Sequence, residues 1–209
     1  MTLKDPQYIS YCHWGRAWAA FAAARLAEAQ REAESAAQAT GYFVPISLPI
    51  GARAALWAGD KAGAAAIVVQ IEAAVIRGQA FGLDLVTLRA GISALEGRRA
   101  DAVAGYREAL RGWRGLGLAF DEALAVVDLA IVLVPTESEM AEAASVIESA
   151  REILAGLGAL PFLARLDAAA VTTDAMPPAA SGSATEAAQA ADAGQTAATG
   201  TSGYRPVNA

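Results

Sequence analysis

The sequence predicts an all-α fold of about four antiparallel helix pairs, followed by a capping helix and a disordered C-terminal tail. Three observations predict it: the alanine content, a repeated spacing of small residues, and a change of composition near residue 171. Alanine accounts for 55 of the 209 residues, and it combines the highest intrinsic helix propensity with a small side chain. This composition favours closely packed helices over a β-sandwich.

A weak internal repeat runs through the chain. Its clearest unit starts at the turn residue Gly97, where the apolar positions of the following segment recur at helical spacing and share one helix face. Equivalent small residues lie 35, 38 and 41 positions apart, at Ala29, Ala64, Ala102 and Ala143. Self-similarity at a nearly constant period indicates a helical repeat array.

Each element follows from this spacing. Bulkier apolar faces lie between the small-residue helices, and Gly117, Pro135 and Gly158 stand where helices should end. The sequence therefore predicts helix pairs over 7–40, 44–77, 83–114 and 119–157, with a capping helix over 160–171. The side chains expected to cover the C-terminal end of the array are Leu160, Phe162, Leu163 and Leu166.

The composition changes after residue 171. From Thr172 to Ala209 there is no Leu, Ile, Phe or Trp. Such a segment buries too little apolar surface to offset its ordering entropy. We therefore predict a repeat domain over 1–171 and a disordered Ala/Gly/Ser/Thr-rich tail over 172–209.

Charge and cysteine content exclude several classes of function. The net charge is −6 and the pI is about 4.8, which lacks the basic surface expected of a nucleic-acid-binding protein. Cys12 is the single cysteine, so an internal disulfide and a cysteine-based zinc cluster are excluded. No segment has the length and apolar content of a membrane span, and the N-terminus has no signal-peptide pattern. We expect a cytoplasmic protein.

The sequence carries no recognisable catalytic constellation. Cys12 and His13 are adjacent, and neighbouring helical residues point about 100° apart rather than facing each other as nucleophile and base. The glycines around Lys61 are in the wrong order for a phosphate-binding loop. We expect no enzyme activity, no cofactor and no metal.

Asp128 is the residue that most needs an explanation. It interrupts the apolar run 126–134, where a carboxylate is costly unless it is paired. Arg89 lies 39 positions earlier, about one repeat away. Two interpretations are open: a structural contact between neighbouring helices, or a concave groove that binds a partner. The candidate groove residues are Asp84, Arg89, Asp121 and Asp128.

The unit at Gly97 resembles a tetratricopeptide repeat. Its Gly, small, aromatic, small and Leu positions match those of that family's second helix, at Gly97, Ala102, Tyr106, Ala109 and Leu110. The spacing of 35 to 41 residues exceeds the usual ~34. The resemblance implies an α-solenoid whose first helices form a concave surface for a protein or peptide partner.

A longer stretch resembles the C-terminal helical region of large bacterial signalling proteins. It runs over 97–168 and includes the segment 107–113, Arg-Glu-Ala-Leu-Arg-Gly-Trp. Those proteins pair class III adenylate/guanylate cyclase domains, or a helix-turn-helix regulator domain, with an ATPase module. The resemblance implies a non-catalytic interaction or regulatory module. The alternative is the detached sensory region of a nucleotide cyclase or of an ATPase-linked transcriptional regulator.

The N-terminal end of the array carries a second expectation. A solenoid exposes an apolar end unless something covers it. Trp14, Trp18 and Phe21 share this end, and we expect self-association through this exposed repeat face.

Overall fold

The computed structural model describes residues 5–74 and 78–174. The last helix extends to Asp174, three residues into the predicted tail of 172–209, so the prediction is wrong for these three; the rest of that tail, 175–209, lies outside the described residues. The described ranges form nine α-helices and no strand, which confirms the all-α class. The helices are α1 Pro6–Ala22, α2 Leu26–Ala39, α3 Val44–Trp57, α4 Lys61–Ala73, α5 Gln79–Leu95, α6 Arg99–Leu116, α7 Ala119–Val132, α8 Met140–Gly156 and α9 Leu160–Asp174.

The first three helix pairs share one turn geometry. The chain takes a positive φ in the middle of each turn, at Ala24 (59°), Gly59 (73°) and Gly97 (76°). Each of these residues lies five positions before one of the repeated alanines, and those three alanines, Ala29, Ala64 and Ala102, are fully buried. The sequence repeat therefore corresponds to a repeated local structure.

The fourth pair departs from this pattern. A longer connection joins α7 to α8 and contains a short 3₁₀ turn over Glu137–Glu139. Ala143, the fourth repeated alanine, is only partly buried. The turn geometry and the buried alanine therefore recur in the first three pairs and not in the fourth, while Gly117 and Gly158 take a similar φ in turns between pairs.

The odd-numbered helices contact one another. α3 packs against α1, α5 and α7, while α7 also packs against α5 and α9. α3 lies at the centre, because every residue from Ser47 to Trp57 is buried. Polar side chains on the odd-numbered helices are thereby brought together.

α9 is a partial cap. Phe162 and Leu166 are buried, as expected, but Leu160 is 65% exposed, so the prediction is wrong for this residue. Leu160 is the first residue of the helix, and the buried side chains come from the next turns. Phe21, predicted to lie on an exposed N-terminal face, is also buried, because the ring of Phe162 in α9 packs on it.

Candidate functional site

A buried arginine joins three of the odd-numbered helices. Arg53 in α3 donates from Nε to Oδ2 of Asp128 in α7 at 2.9 Å. It also donates from Nη1 to Oδ1 of Asp84 in α5 at 3.1 Å. Trp57, one helical turn after Arg53, donates from its indole nitrogen to Oδ1 of Asp128 at 2.6 Å. We call these four residues, together with Asp121, the Arg53 cluster.

The local sequence explains why these charges are buried. Arg53 is the only charged residue between Glu34 and Asp60, and Asp128 is the only one between Glu122 and Glu137. Each lies in a run of consecutive buried residues, Ser47 to Trp57 and Glu122 to Asp128. Two isolated, opposite charges in uncharged segments are a signal that could have revealed the pair. Arg53 and Trp57 were missed because Arg89, one repeat away, was the expected partner.

The cluster has more negative than positive charge. Burial opposes the charged form of Arg53, but the carboxylates of Asp128 and Asp84 outweigh it and raise the pKa of the guanidinium. Burial raises the pKa of Asp84 to about 6, although Arg53 acts in the other direction. Burial likewise raises the pKa of Asp128 and of Asp121. One guanidinium therefore serves three carboxylates, and Asp84, with a pKa of about 6, takes up a proton as the pH falls below neutral.

Two polar atoms beside the cluster make no hydrogen bond within the described part of the chain. They are Nη2 of Arg53 and the hydroxyl of Tyr106, and both are buried. Burial, with a contribution from Asp128, raises the pKa of the Tyr106 hydroxyl well above its usual value. Tyr106 is therefore held protonated and has no general-base character.

The structure divides the predicted groove residues. Asp84 and Asp121 belong to the Arg53 cluster and are partly exposed. Asp128 is fully buried and is out of reach of a partner. Arg89 lies elsewhere, since its Nη2 donates to Glu72 in α4 at 2.7 Å on the surface. The expected pairing of Asp128 with Arg89 is wrong: α3 lies against α7 and supplies Arg53 instead.

An aromatic group from three helices lies next to this cluster. Trp18 and Phe21 come from α1, Trp57 from α3 and Phe120 from α7, and we call these four rings the aromatic seat. Phe162 of α9 contacts all four of them. Trp57 therefore belongs to both groups, because its indole N–H binds Asp128 while its ring faces α9.

A small apolar groove runs between α6, α7 and α8. Its cavity volume is about 60 Å³, well below the roughly 300 Å³ at which ligand pockets begin. Arg107 on α6 pairs with Glu142 on α8 at its edge. Arg99 likewise pairs with Glu139. The ion pairs at its edge link α6 to the α8 region. The groove itself is too small for an organic cofactor.

The remaining sequence candidates lie on the surface. Nδ1 of His13 lies 2.6 Å from Oε2 of Glu32, and Cys12 is exposed. No group of three His, Cys, Asp or Glu residues with metal-binding geometry occurs within 5–74 and 78–174. Among the helices described, none is long and apolar enough to cross a membrane.

Comparison of the chain with family models, with curated proteins and with solved structures gives no match. The tetratricopeptide resemblance stays a prediction, and any function must be argued from the site itself.

Proposed function

We propose that the chain is a non-catalytic protein-binding module built as a tetratricopeptide-like solenoid. One observation carries the proposal. The charged and aromatic residues of five odd-numbered helices meet, and two carboxylates of this group, Asp84 and Asp121, reach the surface. A partner would contact the chain at these helices.

The turn geometry supports the repeat arrangement. Ala24, Gly59 and Gly97 occupy equivalent positions with similar φ, and the first helices of successive pairs contact each other. In α-solenoids, stacked helix pairs bury a continuous core. Here α1 also reaches α7 and α9 through the ring contacts of Trp18 with Phe120 and of Phe21 with Phe162, so the odd-numbered helices close on one another.

The charge of the site indicates the chemistry of the partner. Arg53 is shared by Asp84, Asp121 and Asp128, which leaves a surplus of negative charge. Complementary charge at an interface favours association with a partner of opposite sign and excludes others. A protein segment with basic side chains therefore fits this surface best.

Affinity capture with charge-neutral variants tests the proposal. Full-length wild type, Asp121→Asn and Glu152→Gln are used as baits in cytosol of the native cells. Glu152 is exposed on α8, so its substitution removes one charge from an even-numbered helix. We expect a protein recovered by wild type and Glu152→Gln to fall by about threefold or more with Asp121→Asn. Equal recovery by all three baits would contradict the proposal.

The same experiment addresses the narrower hypothesis of a signalling role. That hypothesis rests on the resemblance of 97–168 to the helical region of cyclase- and ATPase-linked proteins. Recovery of a nucleotide cyclase or of an ATPase-linked regulator in the Asp121-dependent fraction would support it.

A further inference from the structure

One side chain of α9, Phe162, contacts all four rings of the aromatic seat. The Phe162 ring centroid lies 5.5 Å from Phe120 and 5.7 Å from Phe21. It lies 6.3 Å from both Trp18 and Trp57. Three of these four contacts are edge-on, with interplanar angles of 73° to 84°, and the contact with Phe21 is tilted at 51°; aromatic pairs prefer such geometry to a face-to-face sandwich. The seat thus holds an aromatic ring supplied by the C-terminal helix.

Two further residues of α9 lie on the same helix face. Arg165, three positions after Phe162, places its guanidinium carbon 5.3 Å from the centre of the Trp57 ring. Leu166, four positions after Phe162, is fully buried. Residues at i, i+3 and i+4 form one stripe of a helix. Recognition of an amphipathic helix in a groove uses this same pattern of anchors.

α9 buries fewer of its side chains than α3 does. Phe162 and Leu166 are buried, and Asp167 accepts a hydrogen bond from Nε of Arg151 in α8 at 2.9 Å. α9 follows α8 after a short turn in which Gly158 takes a φ of 66°. Leu160, its first residue, and Val171, three residues before its last, are 65% and 66% exposed. Segments with few buried apolar contacts open at lower free energy than the core of the same protein. We therefore expect α9 to open at a lower free energy than α3.

We propose that the aromatic seat is the surface that binds a partner helix, and that α9 occupies it within the chain until such a helix displaces it. The partner helix presents an aromatic residue, an arginine three positions later and a leucine after that. This rests on the proposed binding function and specifies its partner. The basic anchor suits the surplus negative charge of the Arg53 cluster.

The α9 segment itself is the probe. A fluorescent peptide of residues 159–171 is titrated with full-length wild type and with full-length Phe162→Ala, which leaves the seat without its ring. A matched control peptide carries the same Phe162→Ala change. We expect the variant protein to bind the native peptide at least about tenfold more tightly than wild type does. The control peptide should bind neither protein measurably.

Two results would overturn the proposal. One is that wild type and Phe162→Ala bind the native peptide equally well, although circular dichroism shows that the variant still unfolds cooperatively. The other is equal binding of both peptides. If Phe162→Ala does not fold, Arg165→Gln replaces it, because this side chain is only partly buried. We expect about two- to fivefold tighter peptide binding from the loss of the contact with Trp57, and unchanged affinity would contradict the seat.

This titration separates the two proposals. It uses no cellular partner and does not depend on Asp121. If the peptide does not bind but capture depends on Asp121, the aromatic seat is rejected as the binding surface, and the proposal of a protein-binding module stands. Peptide binding without such capture would reject the Asp121 surface as the contact site.

Discussion

α3 and α8 have similar lengths but are held in opposite ways. In α3 every residue from Ser47 to Trp57 is buried, whereas α8 buries only Ala150 and Leu154 among its seventeen residues. α3 touches helices on several sides and carries a buried charge. α8 packs on α7 and α9 and is linked to α6 by one exposed ion pair, between Arg107 and Glu142.

The contribution of a charge to stability depends on whether it is buried, as in α3, or exposed, as beside α8. A buried ion that loses its partner is strongly destabilising, because the remaining charge stays out of water. An exposed pair contributes little, because water and salt screen it. The same residue type, arginine, should therefore matter greatly in α3 and little beside α8.

The largest effect is expected from Arg53→Gln. It leaves the fully buried Asp128 and the partly exposed Asp84 without their guanidinium, so the free energy of unfolding should fall by about 3–5 kcal/mol. Urea denaturation followed by circular dichroism measures it. Arg89→Gln is the matched control, because the Arg89–Glu72 pair is exposed, and we expect a loss below about 1 kcal/mol. Similar losses for the two variants would contradict the claim that the buried arginine stabilises the fold more than an exposed one.

The two regions should respond to pH with opposite sign. The pKa of Asp84 is raised to about 6 in the folded chain. The folded state therefore binds more protons than the unfolded state just below neutral pH, and the free energy of unfolding rises as the pH falls. At the start of α8, a hydrogen bond from the backbone N–H of Thr136 leads the interactions that lower the pKa of Glu139 to about 2. That contribution is present above the unfolded pKa of about 4.5 and is lost as the pH falls toward about 2.

Urea denaturation at a series of pH values measures both pH-dependent contributions to the free energy of unfolding. We expect a gain on the order of 1–3 kcal/mol between about pH 7 and pH 4 from the Asp84 side. Asp84→Asn should abolish this rise in the free energy of unfolding and leave the loss at lower pH in place. If the free energy of unfolding still rises between about pH 7 and pH 4 in Asp84→Asn, another group causes the rise.

The smallest effect is expected beside α8. Arg107→Gln breaks the exposed pair with Glu142, and the free energy of unfolding should fall by less than about 0.5 kcal/mol. Added salt should reduce even this difference, since exposed pairs are screened. A loss above about 2 kcal/mol at Arg107 would show that the ion pair to α6, and not packing, holds α8.

The sequence predicted the helices well because their signals are local. The repeated alanines and the turn glycines lie within the elements that they define, and the predicted pairs agree with the observed helices to within a few residues at most ends. The beginning of α5, at Gln79 rather than 83, differs because Phe81 and Leu83 both pack against the core.

The site could not be predicted in the same way. Arg53 and Asp128 are 75 positions apart, so their contact depends on how α3 lies against α7. The isolated charges in two uncharged segments point to the pair, but no local pattern gives its geometry. The contact of Phe162 with Trp18 has no sequence signal at all, because it joins α9 to α1.

Native-state hydrogen exchange of the full-length chain tests the central claim most directly. We expect the amides of 50–57 in α3 to exchange only through global unfolding. Those of 164–171 in α9 should exchange at least about tenfold faster, by an opening that leaves α3 protected. Equal opening free energies for α3 and α9, with the same dependence on denaturant, would contradict the claim that α9 leaves its seat separately.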